Sequence, residues 1–364
     1  MKEKALAVLL VATVVLSLYS AVDLAYSTNA ILEQVNEIIK QVQEIRGLPF
    51  KEKPKIVVIT KAQAIKMFGA SSQNPEQLKL EELTYKMTLL LPGNYSFARA
   101  ENQQVAGWIA ATVGDTIYII EENFESNPAV AKRTLAHELT HVLQKQWFNA
   151  RYSENTFDGT LAVRALVEGD ADLVADLYCE RNGIPIYKIR SLSGNPLTDL
   201  GIFPYVFGDP FVRYLYEKGG WRLVNEAYRH YPISTAQIMH PELYLENVTP
   251  VNVSLSVPAN WSVMRNDRMG EFYVYALLRD VAKLSNETAW NVSSAWLGDH
   301  LILATNGTDY VLLWKVEFSN ERAAKAFAET LKNLAEKDTY AKFTITLDGK
   351  TVLLKAVRGV RVEA

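Results

Sequence analysis

The stretch Pro128-Ala129-Val130-Ala131-Lys132-Arg133-Thr134-Leu135-Ala136-His137-Glu138-Leu139-Thr140-His141-Val142-Leu143-Gln144 decides the reading of this chain. Proline is preorganised for the first helical position, and no breaker follows before Trp147. The spacing therefore predicts a long helix from Pro128 through Trp147. Inside it stands His137-Glu138-Leu139-Thr140-His141, an HExxH pattern. Residues four apart stack on one helical face, so both imidazoles can meet one ion while Glu138 points beside it. Imidazole nitrogen suits zinc, and a catalytic zinc site takes three protein ligands and keeps its fourth position open.

The third ligand has to come from another element. A second helix is expected from about Thr160 to Asn182, and it carries Glu168-Gly169-Asp170-Ala171-Asp172 in an otherwise apolar setting. An unpaired carboxylate there would be costly, which makes Glu168 the candidate ligand. Asp172 follows one turn later on the same face, placed to accept the free N–H of a ligating histidine. Asp170 points elsewhere and is expected to be solvated or to serve as a cap.

His137-Glu138-x-x-His141 followed by Glu168-x-x-x-Asp172 resembles the gluzincin metallopeptidases, the thermolysin-like and aminopeptidase-like branch of the zincins. The resemblance covers about fifty residues, and the metzincin extension is absent, since Leu143, Gln144, Lys145 and Gln146 follow the motif. It implies a zincin-like catalytic domain, a mixed sheet with the HExxH helix plus a helical lobe, and Zn2+ held by His137, His141 and Glu168. It implies Glu138 as general base in zinc-assisted hydrolysis of peptide bonds. It also calls for a donor to the developing oxyanion. Tyr205, in Pro204-Tyr205-Val206-Phe207-Gly208, matches the tyrosine of the aminopeptidase-like branch; His240, in Met239-His240-Pro241, competes as the thermolysin-like equivalent. The strand Val105–Ala110 would be the sheet edge that receives an extended substrate. It lacks the glutamate with which aminopeptidases hold the substrate amine, which favours cleavage inside chains. The alternatives are a zinc aminopeptidase, an inactive zincin-fold binding or envelope protein, and a structural zinc site in an anchored scaffold.

Outward from the motif, the N-terminus reads as a leader. Lys2 and Lys4 precede an apolar run from Ala5 to Val22, expected to act as a signal peptide or membrane anchor over residues 1–27 and to place the rest extracellularly or at the cell surface. Seven Asn-x-Ser/Thr sequons, at Asn94, Asn247, Asn252, Asn260, Asn286, Asn291 and Asn306, agree with export and make glycosylation an expectation.

Between and beyond these, a helix is expected over Ile31–Ile45, a strand over Lys55–Thr60 and a hairpin whose strands end at Val113 and begin at Thr116. Short helices are expected from Pro204 to Tyr231 and from Ser234 to Glu246. A linker or domain edge is expected over Val248–Trp261. A smaller module follows, with a helix near Glu271–Leu284, strands near Leu301–Ala304 and Tyr310–Phe318, a helix Asn320–Lys337 and a hairpin at Asp348-Gly349. The expected class is thus α+β, divided as an N-terminal α/β lobe (28–125), a helical zinc-binding lobe (126–250) and a C-terminal α+β accessory domain (251–364).

Composition sets outer limits. With 364 residues, 49% of them apolar, the chain can bury a sizeable core. A net charge of −3 without a Lys/Arg cluster excludes a nucleic-acid partner, and the peptide or protein substrate is what the resemblance implies. The single Cys179 excludes a disulfide framework and is expected to be a buried structural thiol. No Gly-x-Ser-x-Gly elbow and no phosphate-cradling glycine loop is present.

Overall fold

The computed structural model describes residues 35–68, 74–95, 110–126 and 128–359. The apolar run 5–22 and the expected strand residues 105–109 lie outside them. Among the described residues no helix is long and apolar enough to cross a membrane. The fold is mixed α+β with two separate sheets. Two compact units divide the chain: residues 1–61, 108–146 and 174–186 form the first, and residues 62–107, 147–173 and 187–364 the second. One unbroken helix, α6 (Phe157–Asn182), contributes residues to both.

The first unit opens with α1 (35–46), whose Val35, Ile38 and Val42 recur at helical spacing and are buried. Its sheet has the order β1-β3-β2, built from β1 (Lys55–Ile59), β2 (Ala110–Val113) and β3 (Thr116–Ile120). β1 runs parallel to β3, from Lys55 opposite Thr116 to Ile59 opposite Ile120. β2 and β3 form the expected hairpin at Gly114-Asp115, with Gly114 at a φ of +64° that suits glycine. α4 (Glu121–Ser126) leads into α5 (Pro128–Phe148), the predicted motif helix.

The second unit holds α2 (Lys61–Phe68, of which all but Lys61 belong here), α3 (Pro75–Met87), the long α7 (Pro196–Ala227), and the short α8 (Thr235–Met239) and α9 (Pro241–Leu245). α7 starts eight residues before the expected Pro204. Asn195 caps it by accepting from the amides of Leu197 and Thr198, Pro196 takes the first position, and Leu200 and Phe203 are buried. Burial of that first face outweighs the lost hydrogen bonds at Pro204 and Pro210, and the helical path is interrupted only at Gly219-Gly220.

The remainder of this unit is a five-stranded antiparallel sheet in the order β4-β5-β6-β8-β7. Its strands are β4 (Ser262–Asp267), β5 (Trp296–Thr305), β6 (Asp309–Phe318), β7 (Lys342–Asp348) and β8 (Thr351–Gly359). α10 (Glu271–Ala276) continues into a π-turn (Leu277–Val281), followed by α11 (Asn286–Ser293) and α12 (Glu321–Ala335). α12 buries Ala324, Phe327 and Leu331, with Phe327 set edge-on to Trp314 at 5.6 Å. The expected linker 248–261 is instead packed along β5: the Val251 amide donates to Leu297, and the Val253 carbonyl accepts from His300 Nδ1. β4 escaped the sequence reading because it is an exposed edge strand without apolar alternation.

Trp296, Gly298 and Asp299 are buried at the start of β5, while Leu297 between them is exposed. The Asp299 carboxylate accepts from the amides of Met269 and Gly270 and from the indoles of Trp296 and Trp314. All seven sequon asparagines are exposed.

Candidate metal centre

The two helices that carry the motif are built for burial. α5 is covered on nearly all sides, with Leu135, Leu139, Val142 and Leu143 inaccessible, so its polar residues must find partners within the protein. Thr140 returns its hydroxyl to the Ala136 carbonyl at 2.9 Å. α6 begins where Thr156 Oγ1 accepts from the Gly159 amide, and it ends at Gly183, whose φ of +62° lets the Ile184 amide reach the Cys179 carbonyl.

His137 and His141 sit one turn apart with ring centroids 4.7 Å apart and planes at 88°. Their Nε2 atoms face one another at 3.1 Å. His141 Nδ1 lies 2.9 Å from Gln144 Oε1, an acceptor, so Nδ1 carries the proton and Nε2 presents a lone pair. Glu168 completes the group: one ligand atom from each of His137, His141 and Glu168 lies within 4.8 Å of the others. Both histidines are buried and Glu168 is partly so.

This donor set fits a zinc ion. Two imidazole nitrogens at Zn–N distances of 2.0–2.1 Å in a tetrahedral shell stand roughly 3.3 Å apart, close to the observed 3.1 Å. Two nitrogens and one carboxylate oxygen also make a three-ligand set of the kind found in catalytic sites.

Glu138 does not join the ligands. Its carboxylate Oε2 accepts a 2.6 Å hydrogen bond from Thr112 Oγ1 on β2. Arg133, one turn before His137, donates through Nε and Nη2 to Asp176 Oδ1 on α6, at 3.1 and 2.8 Å, with both side chains buried. Asp172 is buried on α6. Asp170 is not solvated: it is fully buried and accepts from the Tyr228 hydroxyl at 2.7 Å. A helix buried almost all round leaves no solvated face on which to place it. Burial pushes the Cys179 thiol up to about 11, which agrees with a structural rather than a reactive thiol.

The two oxyanion candidates lie on opposite sides of α7. Gly208 and Val212 face α6, where a Cβ on Gly169 would stand 2.1 Å from the Gly208 carbonyl oxygen and 2.9 Å from Val212. Tyr205 is one turn before Gly208 on that face. Phe203 and Phe207 form the other face and pack on Phe272, with Phe207 stacked toward Trp290. His240 belongs there, 5.0 Å from the Trp290 ring, its Nε2 bound to Glu271 Oε1 at 2.9 Å. Burial lowers the His240 pKa, but the Glu271 carboxylate outweighs it and holds the imidazole above its ordinary value.

Thr112 and Gln144 were missed from the sequence. Gln144 had a signal, since it lies three residues beyond His141 on the same helix; Thr112 had none, because only strand pairing brings it to Glu138.

Two family descriptions match parts of the chain. The eCIS core domain matches residues 96–147, a span that includes the whole HExxH segment and Gln144. A domain of unknown function, DUF8575, matches residues 261–362, the stretch that carries the five-stranded sheet. No curated protein and no solved structure matches the chain.

Proposed function

We propose that this chain is an exported zinc-dependent metallopeptidase of gluzincin type, with a zincin-like catalytic part and cleavage within peptide chains. The observation that carries the reading is the convergence of His137, His141 and Glu168, with Glu138 next to His137 in the motif. A zinc ion held by those three side chains supplies Lewis acidity, which in such sites lowers the pKa of water from 15.7 to about 7. Glu138 takes a proton from the attacking water and returns it to the departing amine. Tyr205 donates its hydroxyl to the developing oxyanion, a contribution of about 3–4 kcal/mol in other hydrolases. His240 is occupied by Glu271 on the far side of α7 and takes no part. The apolar run after Lys4 and the exposed sequon asparagines support export to the cell surface or beyond.

The match of residues 96–147 to the eCIS core domain leaves room for a second reading, a zincin-fold binding or envelope protein without turnover. One experiment separates the two. The full-length chain, loaded with zinc, is incubated with an unfolded protein beside Glu138→Gln, and the products are weighed by mass spectrometry. Internal cleavage by the wild type alone supports an endopeptidase. Release of single terminal residues points to an exopeptidase. Stoichiometric zinc without cleavage in either chain rejects the peptidase.

A further inference from the structure

Strand β2 reaches the proposed general base. Its register, Thr112 opposite Ile117 on β3, sets Thr112 on the edge strand of the three-stranded sheet. The Thr112 hydroxyl lies 2.6 Å from Glu138 Oε2 and 3.2 Å from the Glu138 carbonyl oxygen. A hydroxyl has one proton to give, and 2.6 Å falls within the range of a charge-assisted O–H···O− bond. Among the described residues, Glu138 Oε1 has no hydrogen-bond partner.

We infer that Thr112 is a positioning residue for Glu138. The inference rests on the peptidase reading and adds to it how the base is aimed. The terminal torsion of a glutamate is broad and roughly two-fold, so a carboxylate without a partner exchanges its two oxygens freely. Thr112 breaks that symmetry: it occupies Oε2 and leaves Oε1 to accept the proton. Because the hydroxyl comes from a strand and the carboxylate from a helix, both ends of the bond are held by backbone hydrogen bonding. Thr112 itself touches no reacting atom. A purely structural threonine would be indifferent to whether Glu138 is a carboxylate or an amide; a positioning one would not.

The test uses the full-length, zinc-loaded chain with Thr112→Val, which keeps the shape and removes the donor, and Thr112→Ser, which keeps the donor. Thr112→Val is expected to lower kcat by about 10- to 100-fold, with KM and zinc stoichiometry unchanged. Thr112→Ser should recover most of the loss. In the Glu138→Gln background Thr112→Val should cost nothing more, since the two residues act as one unit. Thr112→Ala, which removes the hydroxyl without a branched replacement, must agree with Val if either is to count. A second readout does not depend on turnover: the 13C carboxyl resonance of Glu138, assigned by its loss in Glu138→Gln. It should move in Thr112→Val and return in Thr112→Ser. Undiminished kcat in both Val and Ala overturns the inference. If the wild type binds zinc and cleaves nothing, the peptidase reading fails by itself; the carboxyl resonance then decides whether Thr112 holds Glu138, and an unmoved signal overturns that too.

Discussion

Arg133 and Asp176 form a buried ion pair, Nη2 to Oδ1 at 2.8 Å, that ties the motif helix to the glutamate helix. Arg133 stands one turn before His137 on α5, and Asp176 two turns after Glu168 on α6. The pair joins the two helices at a point where both side chains are shielded from water. Removing one member leaves a buried charge poorly compensated, which is far more damaging than never having the pair.

Asp176→Ala is expected to destabilise the fold by about 3–5 kcal/mol. Urea unfolding reads that loss directly. If the pair also sets the registry of the site, zinc affinity measured by chelator competition on the still-folded fraction falls as well. Unchanged stability would remove the clamp from the account.

Gln144→Leu tests the imidazole's orientation. The substitution is close in volume and deletes the acceptor for His141 Nδ1. Outer partners of ligating histidines typically contribute 10- to 100-fold in metal affinity. Zinc binding should weaken by that factor with little change in unfolding midpoint for the metal-free chain. Equal zinc affinity in the variant would mean that the tautomer is set elsewhere.

Gly208→Ala should disrupt the crossing of α6 and α7. A Cβ at Gly208 would lie 2.2 Å from the Ala165 carbonyl oxygen, which is backbone and cannot swing aside. Overpacking of this kind costs about 1–3 kcal/mol or more. Calorimetry should show a lowered melting temperature, and a variant as stable as the wild type would contradict the close approach.

The pH dependence of stability should carry a signature of Asp280. Burial, reinforced by the negative charge of Asp199, pushes its carboxyl from 3.8 up to about 6, with Arg279 opposing. The folded chain therefore keeps this proton in a window where the unfolded chain has lost it. Between about pH 4 and 6 the native state binds more protons, so this group's contribution to stability falls as pH rises and is flat above. Asp280→Asn imitates the protonated form. The difference in unfolding free energy between variant and wild type should grow from pH 4 to 6 in the variant's favour, and a pH-independent difference would refute the assignment.

What the sequence disclosed and what it withheld divide along a physical line. His137, Glu138 and His141 declared themselves because helical periodicity alone aligns residues four apart, and Glu168 because a carboxylate in an apolar helix asks for a partner. The hairpin at Gly114-Asp115 is equally local. Thr112 reaches Glu138, and Tyr228 reaches Asp170, only after strands and helices have packed, so no spacing along the chain announces them. α7 was read too short because Pro204 looks like a start to any local rule, whereas burial of Leu200 and Phe203 carries the helix through it. β4 was invisible for the opposite reason, as an exposed edge has no core to imprint a pattern on it.

The meeting of Gly169 with Gly208 bears on how such a centre can change over generations. Main chain lies against main chain at that crossing, with the Val212 side chain beside it. On the peptidase reading, a substitution at Tyr205 changes the oxyanion donor and leaves the contact of Gly169 with Gly208 untouched. On that reading the chemistry of α7 can drift while the crossing is kept, and the cost is concentrated in two glycines that tolerate almost no replacement.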